Sequence, residues 1–230
     1  MEAIILAGGK AERLGDAARG RPKALVEVAG KPLVAYQVEQ LTAAAVERVL
    51  ISCAEGQEDL FREALSDAEP EIVPIGEPEP LGRGGGIRFA AEQRRDDDNV
   101  YALNGDELVD VDLLRLLEQH CNSEAAATIT VVPLRSPFGV VELDEDVVTG
   151  FKEAPQLEHW VSCGVYVLGP EALSRFPERG DHETTTFPEL AGEGRLGGYR
   201  HEGLWLTVNT PKDLRLAEEH VAANPGWPNG

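Results

Sequence analysis

The sequence predicts an α/β protein: a Rossmann-like three-layer α/β/α sandwich with a mixed, mainly parallel central sheet. In the first half of the 230-residue chain, short apolar segments alternate with segments of helical periodicity. In the second half, from Ala125, strand-like segments follow one another across short turns. The first pattern is typical of parallel strands joined by helices, and the second indicates a mixed or antiparallel extension.

The first strand is the apolar run at residues 3–7, which Gly8 and Gly9 end in a tight turn. Alternating elements then follow through the first half of the chain. We predict a helix within 31–45, a strand at 46–52, a helix at 57–66, a strand at 71–75, a helix at 84–95, a strand at 99–103 and a helix at 111–120.

The second half contains four strand-like segments, followed by a strand that carries Trp205 and a last helix. The strands are predicted at 127–134, 138–143, 147–151 and 161–168, and the helix at 210–223. Because no repeat or linker divides the chain, we expect one domain over residues 1–223, built from the halves 1–124 and 125–223. Residues 224–230 are expected to form a flexible tail.

Composition narrows the classes of protein that fit. With 21 basic and 41 acidic side chains the formal charge is −20, which disfavours nucleic acid and anionic membranes as partners. No segment approaches the roughly 18 apolar residues that a membrane-spanning helix needs. The N-terminus reaches glycine too early for a signal peptide. We therefore expect a soluble cytoplasmic protein, in which Cys53, Cys121 and Cys163 are reduced and structural.

Positive charge is concentrated at the N-terminus, in the same segment as the glycines. The first 31 residues carry six basic side chains and four acidic ones. The basic ones are Lys10, Arg13, Arg19, Arg21, Lys23 and Lys31. A solvated basic face is the simplest interpretation of a charge run taken alone. Its overlap with a glycine turn indicates an anion site instead.

The loop after the first strand has the chemistry of a phosphate site. In open α/β sheets, ligands bind beyond the carboxyl ends of the strands. Gly8 and Gly9 lack a Cβ, so that backbone N–H groups can approach a phosphate closely. Arg13 can hold two oxygens at once, whereas Lys23 is a compact point charge. Neither G-x-G-x-x-G nor G-x-x-x-x-G-K-[ST] follows the strand, which excludes the dinucleotide and P-loop motifs.

These residues resemble the signature of the sugar-phosphate nucleotidyltransferases, also called nucleotide-sugar pyrophosphorylases. The matching motifs are Leu6-Ala7-Gly8-Gly9, Arg13-Leu14, Pro22-Lys23-Ala24-Leu25 and Gly30-Lys31-Pro32. The resemblance implies a glycosyltransferase-A-like fold. It also implies that Leu6, Ala7, Gly8 and Gly9 bind the nucleotide and that Arg13 and Lys23 are catalytic. Ala11 replaces the third glycine, as in the molybdenum-cofactor guanylyltransferase branch.

The resemblance extends to about residue 220. Residues 77–90 resemble the family's base-recognition loop, which implies that Leu81, Gly82, Gly84 and Gly85 lie near the nucleobase, with Arg83 in place of the usual threonine. On chemistry alone this segment is a glycine-rich turn before a helix.

An aspartate follows the strand predicted at 99–103. Asp106 stands where a hard oxygen ligand can face a triphosphate, and Mg²⁺ prefers one or two carboxylates together with phosphate and water. The resemblance makes Asp106 the metal ligand and Mg²⁺ the cofactor. The alternative role, capping the next helix, suits Asp110 better.

Contacts to the second substrate are implied in the second half. By resemblance, Gly139, Glu153, Ser162 and Gly164 bind the sugar phosphate, and Tyr166 belongs to the core. The sequence departs from the family at two positions. Ala154 replaces the lysine that binds the sugar phosphate, and Lys152 would point to the other face of its strand.

The second departure is Thr207, which replaces a second metal-binding aspartate. Threonine is a poor Mg²⁺ ligand. Asp106 with phosphates alone, Asp213 or another acid would therefore complete the metal site.

The implied function is nucleotide-sugar biosynthesis: transfer of a nucleotidyl group from a nucleoside triphosphate to a sugar 1-phosphate, with release of pyrophosphate. Residues 1–124 would bind the nucleotide and residues 125–223 the sugar phosphate. Two alternatives remain open. One is the same chemistry on a non-sugar acceptor, such as a cofactor phosphate or phosphocholine, and the other is a non-catalytic sensor of the same ligands. The base, the sugar and homo-oligomer formation are left open.

Overall fold

The computed structural model describes residues 1–18 and 20–228, apart from the side chains of residues 16 and 17. Its strands are β1 Glu2–Leu6, β2 Glu27–Val28, β3 Lys31–Pro32, β4 Arg48–Ala54, β5 Glu71–Glu77, β6 Val100–Asn104, β7 Glu107–Val109, β8 Ala127–Arg135, β9 Val140–Asp144, β10 Val147–Lys152, β11 Gln156–Leu168, β12 Leu196–Arg200 and β13 Trp205–Thr207. Its α-helices are α1 Leu33–Ala43, α2 Glu58–Ala64, α3 Gly82–Ala91, α4 Leu113–Cys121, α5 Pro170–Arg175, α6 Thr186–Gly192 and α7 Pro211–Ala223. Short 3₁₀ turns occupy Glu12–Ala18 and Lys23–Leu25.

A seven-stranded sheet in the order β12-β8-β11-β6-β1-β4-β5 forms the centre of the molecule. The strands β6, β1, β4 and β5 run parallel, as strands linked by crossover helices do. Strand β11 is antiparallel to both β6 and β8, and β12 is parallel to β8. The sheet is therefore mixed and mainly parallel, as the sequence predicts.

Helices cover both faces of this sheet. Ala3 and Ile5 of β1 face the side packed by α1, α2 and α4, whereas Ile4 faces the side packed by α3, α5 and α6. All three of these β1 side chains are completely buried. The continuous apolar run of β1 thus matches a strand buried on both faces.

The position of β1 fixes where a ligand can enter. After β1 the chain builds β4 and β5 on one side, and it then returns to place β6 on the other side. This reversal opens a crevice beyond the carboxyl ends of β1 and β6, the usual ligand position in such sheets. Gly105 lies in that crevice with its N–H bonded to Leu6 O at 2.8 Å, and a Cβ there would come within 2.4 Å of that oxygen.

Several details differ from the sequence predictions. Helix α4 is capped by Asp112, whose side chain accepts a hydrogen bond from Arg115 N at 3.0 Å, so the assignment of this cap to Asp110 is wrong. Strand β11 begins at Gln156, five residues earlier than predicted. The short elements β2, β3, β7, β12, α5 and α6 were not predicted, because each is too short for a clear periodicity.

The cysteines are free thiols, and Cys53 and Cys163 are buried while Cys121 is exposed. Burial raises the pKa of each buried thiol to about 12, which keeps both protonated and unreactive. Tyr166 lies in the core, as expected. Among the described residues, no helix has the length and apolar character needed to cross a membrane.

The C-terminal helix α7 is capped by Thr210, which forms a capping box with Asp213. Beyond α7, within the segment predicted to be a flexible tail, Trp227 packs against Tyr36 with ring centroids 5.4 Å apart. Residues 229 and 230 of that segment lie outside the described residues.

Asp110, which does not cap α4, forms a pair with His201. His201 Nε2 lies 2.7 Å from Asp110 Oδ1, and the same oxygen accepts Leu204 N at 2.6 Å. The hydrogen bond to Asp110 raises the pKa of His201. Burial opposes ionisation of Asp110, but the hydrogen bond and charge of His201 outweigh it, and the pKa of Asp110 is lowered. The pair joins the end of β7 to the segment before β13.

We predict that His201→Gln destabilises the protein by about 1 kcal/mol, most strongly between about pH 5 and pH 6.5. The raised pKa of His201 adds stability below its unfolded-state pKa that is lost as pH rises through the folded value. The lowered pKa of Asp110 adds stability that is lost on acidification. Thermal unfolding from pH 4 to pH 9 measures the difference, with exposed His159→Gln as the control. A difference that does not change with pH would contradict the prediction.

Candidate active site

A cavity of about 590 Å³ opens beyond the carboxyl ends of β1 and β6. Seven of the fifteen residues predicted for the site line it: Leu6, Ala7, Gly8, Gly9, Lys23, Gly82 and Asp106. These residues come from the loop after β1, the start of α3 and the loop after β6. The structure thus gathers the expected nucleotide loop and the expected metal ligand around one space.

Lys23 is at the centre of this arrangement. Its backbone N–H donates to Gly9 O at 3.2 Å, which holds the 3₁₀ turn against the glycine loop. Its ammonium group lies 2.5 Å from Asp106 Oδ2 and 2.5 Å from Asn209 Oδ1. The side chain is only 10% exposed. A cation held this tightly by two oxygens is preorganised, because little motion remains to be lost when an anion binds.

Arg13 joins the same group through Asn209. Arg13 Nη2 donates to Asn209 Oδ1 at 3.0 Å, so one amide oxygen accepts from both cationic side chains. Arg13 itself lies outside the cavity wall. Asn209 was not among the predicted site residues. Its side chain carries no charge, so only the fold could show that it points to Lys23.

The contacts of Asp213 and Thr207 bear on which residue could be a second metal ligand. Asp213 accepts hydrogen bonds from the backbone N–H groups of Asn209, at 3.2 Å, and Thr210, at 2.8 Å. Oδ2 of Asp213 is therefore engaged in the helix cap, and Asp213 does not line the cavity. Thr207 lies on β13 paired with Glu107 of β7, and it does not line the cavity.

Gly84 and Gly85, in the glycine-rich first turn of α3, pack against another loop and do not line the cavity. The N–H groups of Gly84 and Gly85 both donate to Gly180 O, at 2.8 and 3.1 Å. A Cβ on Gly84 would lie 2.7 Å from His182 N, and one on Gly85 would lie 2.6 Å from Glu178 O. These two glycines admit the 177–184 loop. Because the N–H groups of both glycines already donate to Gly180 O, these groups are not available to bind a base.

Leu81, also predicted near the base, does not line the cavity either. Its N–H donates to Glu77 Oε2 at 3.0 Å, while Ser52 Oγ donates to Glu77 Oε1 at 2.6 Å. Glu77 was missed by sequence analysis, and it lines the cavity opposite Gly8, where a Cβ would lie 3.6 Å from its carboxylate. This carboxylate holds the turn before α3 against β4.

Beneath the 177–184 loop lies His182, which is completely buried with neither ring nitrogen bonded in the described structure. Its ring stacks on Phe176 with centroids 4.7 Å apart. Burial, together with the charge of Arg83, lowers the pKa of His182 to about 4. The neutral ring therefore acts as an apolar support for the loop.

Glu107 is a second residue that sequence analysis missed. It lines the cavity beside Asp106 and accepts a hydrogen bond from Trp205 Nε1 at 2.9 Å. Burial, assisted by the charges of Asp106 and Glu183, raises the pKa of Glu107 to about 7. Nothing in the sequence distinguished this glutamate from the many others, because its burial results from β7 pairing with β13.

The four residues predicted to bind the sugar phosphate are outside the cavity wall. Gly139 and Glu153 face each other across the exposed β9–β10 hairpin, where a Cβ on Gly139 would lie 3.0 Å from Glu153 Oε2. Ser162 lies on β11. Gly164 has φ 70°, and a Cβ there would lie 2.5 Å from Asn104 Nδ2. Asn104 and Glu107 therefore cover Gly164 on the cavity side.

The oxygen donors fit a magnesium ion that is shared with a substrate. In the described part of the chain, no group of three or more His, Cys, Asp or Glu side chains is arranged to hold a metal. However, Asp106 Oδ2 and Asn209 Oδ1 already converge on one cationic nitrogen, Lys23 Nζ. A carboxylate and an amide oxygen are hard ligands, and Mg²⁺ takes its remaining ligands from phosphates and water.

Comparison with known proteins agrees with the fold and identifies the family. The chain matches the nucleotidyl transferase family over residues 2–224, and it belongs to that family. This result confirms the family and the enzyme class, a nucleotidyltransferase, that the sequence predicted.

Among its relatives, the mannose-1-phosphate guanylyltransferase catalytic subunit beta of Danio rerio is 32% identical, with 99% of the chain and 69% of the relative covered. The mannose-1-phosphate guanyltransferase of Yarrowia lipolytica is also 32% identical, over 93% of the chain and 62% of the relative. The chain therefore spans about two thirds of the length of these relatives.

Solved structures share the fold at lower identity. A candidate glucose-1-phosphate thymidylyltransferase from Bacillus anthracis superimposes with a TM-score of 0.78 at 18% identity, covering 100% of the chain and 99% of that protein. The inositol-1-phosphate CTP transferase of T. maritima gives 0.74 at 21%, covering 98% and 96%. These likenesses confirm the predicted α/β fold class.

The close packing at the α3 turn makes a testable prediction. We expect Gly84→Ala to lower stability by about 1–3 kcal/mol, because the new methyl group would overlap His182 N and the ring of Pro177. Gly192→Ala is the matched control, since nothing lies within 4 Å of that position. Thermal unfolding of both variants measures the effect. Equal melting temperatures would show that the 177–184 loop yields without cost.

Proposed function

We propose that the chain transfers a nucleotidyl group from a nucleoside triphosphate to a sugar 1-phosphate and releases pyrophosphate. The observation that carries this proposal is the convergence of Lys23, Asp106, Asn209 and Arg13 beside the glycine loop. Lys23 and Asp106 line the cavity, and Arg13 adds a second cation through the shared amide oxygen of Asn209, which suits a reaction between two phosphate anions.

The reaction is an in-line attack by an acceptor phosphate oxygen on the α-phosphorus, so little proton chemistry is required. Catalysis then consists mainly of aligning two anions and stabilising the charge of the transition state. Lys23 places a buried ammonium group against the α-phosphate. Arg13, with five donors in a planar fork, holds phosphate oxygens of the leaving pyrophosphate. Gly8 and Gly9 allow close approach of the nucleotide to the backbone.

Asp106, together with the amide oxygen of Asn209, is the proposed protein contribution to a magnesium site. When bound, Mg²⁺ supplies positive charge that neutralises the phosphates and fixes their orientation.

The named relatives favour GTP and mannose 1-phosphate as the first substrates to test, since both relatives are mannose-1-phosphate guanylyl- or guanyltransferases. A non-sugar acceptor is the second candidate. The similar fold of an inositol-1-phosphate CTP transferase supports it, as does the position of the predicted sugar contacts outside the cavity.

We further propose that the protein acts in the cytoplasm. The free cysteines suit a reducing compartment. The formal charge of −20 disfavours nucleic acid and anionic membranes as partners.

The decisive experiment measures Mg²⁺-dependent pyrophosphate release with each nucleoside triphosphate combined with a panel of sugar 1-phosphates, inositol 1-phosphate and phosphocholine. We expect release to require both substrates and to be fastest with a sugar 1-phosphate. Binding of a triphosphate without release for any acceptor would favour the sensor and reject the transferase.

We predict that Lys23→Ala lowers kcat/KM on the order of 10²-fold, about 2.7 kcal/mol of transition-state stabilisation. The loss follows from removing the cation closest to the proposed reaction centre. Steady-state kinetics measure it, with Lys212→Ala as a control, because Lys212 is exposed on α7. Wild-type turnover in Lys23→Ala would refute the role of this residue.

Asp106→Asn should raise the Mg²⁺ concentration needed for half-maximal activity by at least about tenfold, because an amide is a weaker magnesium ligand than a carboxylate. Titration of activity with Mg²⁺ measures the change. Asp112→Asn, which alters a carboxylate at the helix cap of α4 only, should leave the titration unchanged. An unchanged midpoint in Asp106→Asn would place the metal elsewhere.

A further inference from the structure

The cavity has few positive charges for a site that must hold two anionic substrates. Eight ionisable side chains line it, of which six are carboxylates. The two basic residues in the described wall are Lys23 and Arg83. Lys23 is already bonded to Asp106 and Asn209 and is assigned above to the triphosphate. The phosphate of the acceptor therefore needs a further cation.

In the family that the sequence resembles, a lysine binds the phosphate of the sugar. Here Ala154 occupies the position of that lysine. Ala154 lies in the turn after β10 with φ 45°, outside the cavity wall. The nearby Lys152 is 73% exposed and lies 3.7 Å from Glu142 on the same hairpin. Neither residue supplies positive charge to the cavity.

We propose that Arg83 binds the phosphate group of the acceptor substrate. This inference rests on the nucleotidyl transfer proposed above and identifies the group that recognises the second substrate. It applies to any phosphate monoester, so it does not depend on whether the acceptor is a sugar phosphate.

The contacts of Arg83 hold its side chain at the cavity wall. Arg83 Nη1 lies 2.5 Å from Glu183 Oε2, and Arg83 Nε lies 3.7 Å from Asp181 Oδ1. Tyr166 Oη donates to the other oxygen of Glu183 at 3.3 Å, which fixes this carboxylate against the core. The guanidinium has five N–H donors, and the side chain remains 49% exposed. It is thus oriented by two carboxylates while donors remain for a ligand.

The backbone at the same turn is not available for this role. A helix N-terminus often binds phosphate through its free N–H groups. Here the first turn of α3 is saturated, because Arg83 N donates to Asp181 Oδ1 at 2.9 Å and the next two N–H groups donate to Gly180 O. The side chain of Arg83 is therefore the group at this helix end that can receive an anion.

An alternative interpretation is that Arg83 only ties the 177–184 loop to α3 through its ion pairs. This role predicts loss of stability when Arg83 is replaced, without a selective effect on either substrate. A third role, binding the triphosphate, predicts a change in the KM for the nucleotide. The three roles therefore differ in what each substrate's KM does.

The test uses Arg83→Gln and Arg83→Lys in the full chain, with Arg62→Gln as the matched control. Arg62 is similarly exposed, at 55%, and pairs with Asp59 at 2.6 Å, but lies on α2 outside the cavity wall. We expect Arg83→Gln to raise the KM for the acceptor by at least about tenfold and to change the KM for the triphosphate less than about twofold. Arg83→Lys should fall between, since it keeps the charge but loses the planar fork.

A rise in the triphosphate KM as large as that in the acceptor KM would overturn the proposal. So would an unchanged acceptor KM accompanied by a lower melting temperature. If Arg83→Gln does not fold, Arg83→Lys carries the same comparison.

A binding measurement separates this proposal from the proposed function. Mannose 1-phosphate and inositol 1-phosphate are titrated calorimetrically into the wild type and Arg83→Gln. If the wild type releases no pyrophosphate but binds one of these monoesters and Arg83→Gln does not, nucleotidyl transfer fails while the role of Arg83 stands. If the wild type releases pyrophosphate and the variant keeps its acceptor KM, nucleotidyl transfer stands while the role of Arg83 fails. A wild type that neither reacts with nor binds any phosphate monoester overturns the proposal for Arg83.

Discussion

The structure of the site depends on one ion pair, between Lys23 and Asp106, and on the amide oxygen that shares the lysine. The three side chains lie far apart in the sequence, since Asp106 follows Lys23 by 83 positions and Asn209 follows it by 186. Only a sheet that places β1 beside β6, and a final helix whose cap returns to that edge, brings them together. A lysine this well buried also needs compensating oxygens, because an unpaired buried charge is costly.

The second constraint is the contact between the first turn of α3 and the 177–184 loop. The sequence places these segments in different halves of the chain, yet Gly180 accepts two hydrogen bonds from the turn and Arg83 bonds to Asp181 and Glu183. The two halves thus form one wall of the cavity. A change in either segment would therefore move residues of this wall.

Electrostatics at the site differ from those of the whole chain. The chain carries a formal charge of −20, and carboxylates outnumber cations in the cavity wall as well. Long-range attraction therefore does not bring phosphate anions to this protein. In the proposed mechanism, short contacts from a few fixed cations do so, and the proposed Mg²⁺ would add the largest local charge. Burial, assisted by the neighbouring carboxylates Asp106 and Glu183, raises the pKa of Glu107 in this wall to about 7.

The sequence by itself determined the longer strands and helices, the fold class, the family and the residues around the first glycine loop. These features are local: apolar periodicity sets a strand or helix, and a phosphate loop needs its glycines and basic residues within one short segment. Only the tertiary structure decided which residues from other parts of the chain contribute to the site. Asn209, Glu107 and Glu77 have their roles through contacts with distant segments, whereas Gly139 and Glu153 lie on an exposed hairpin. The same reason explains why Gly84 and Gly85 fit a family motif and yet serve packing: a motif records that a side chain is absent, and only the fold shows which atoms occupy the space.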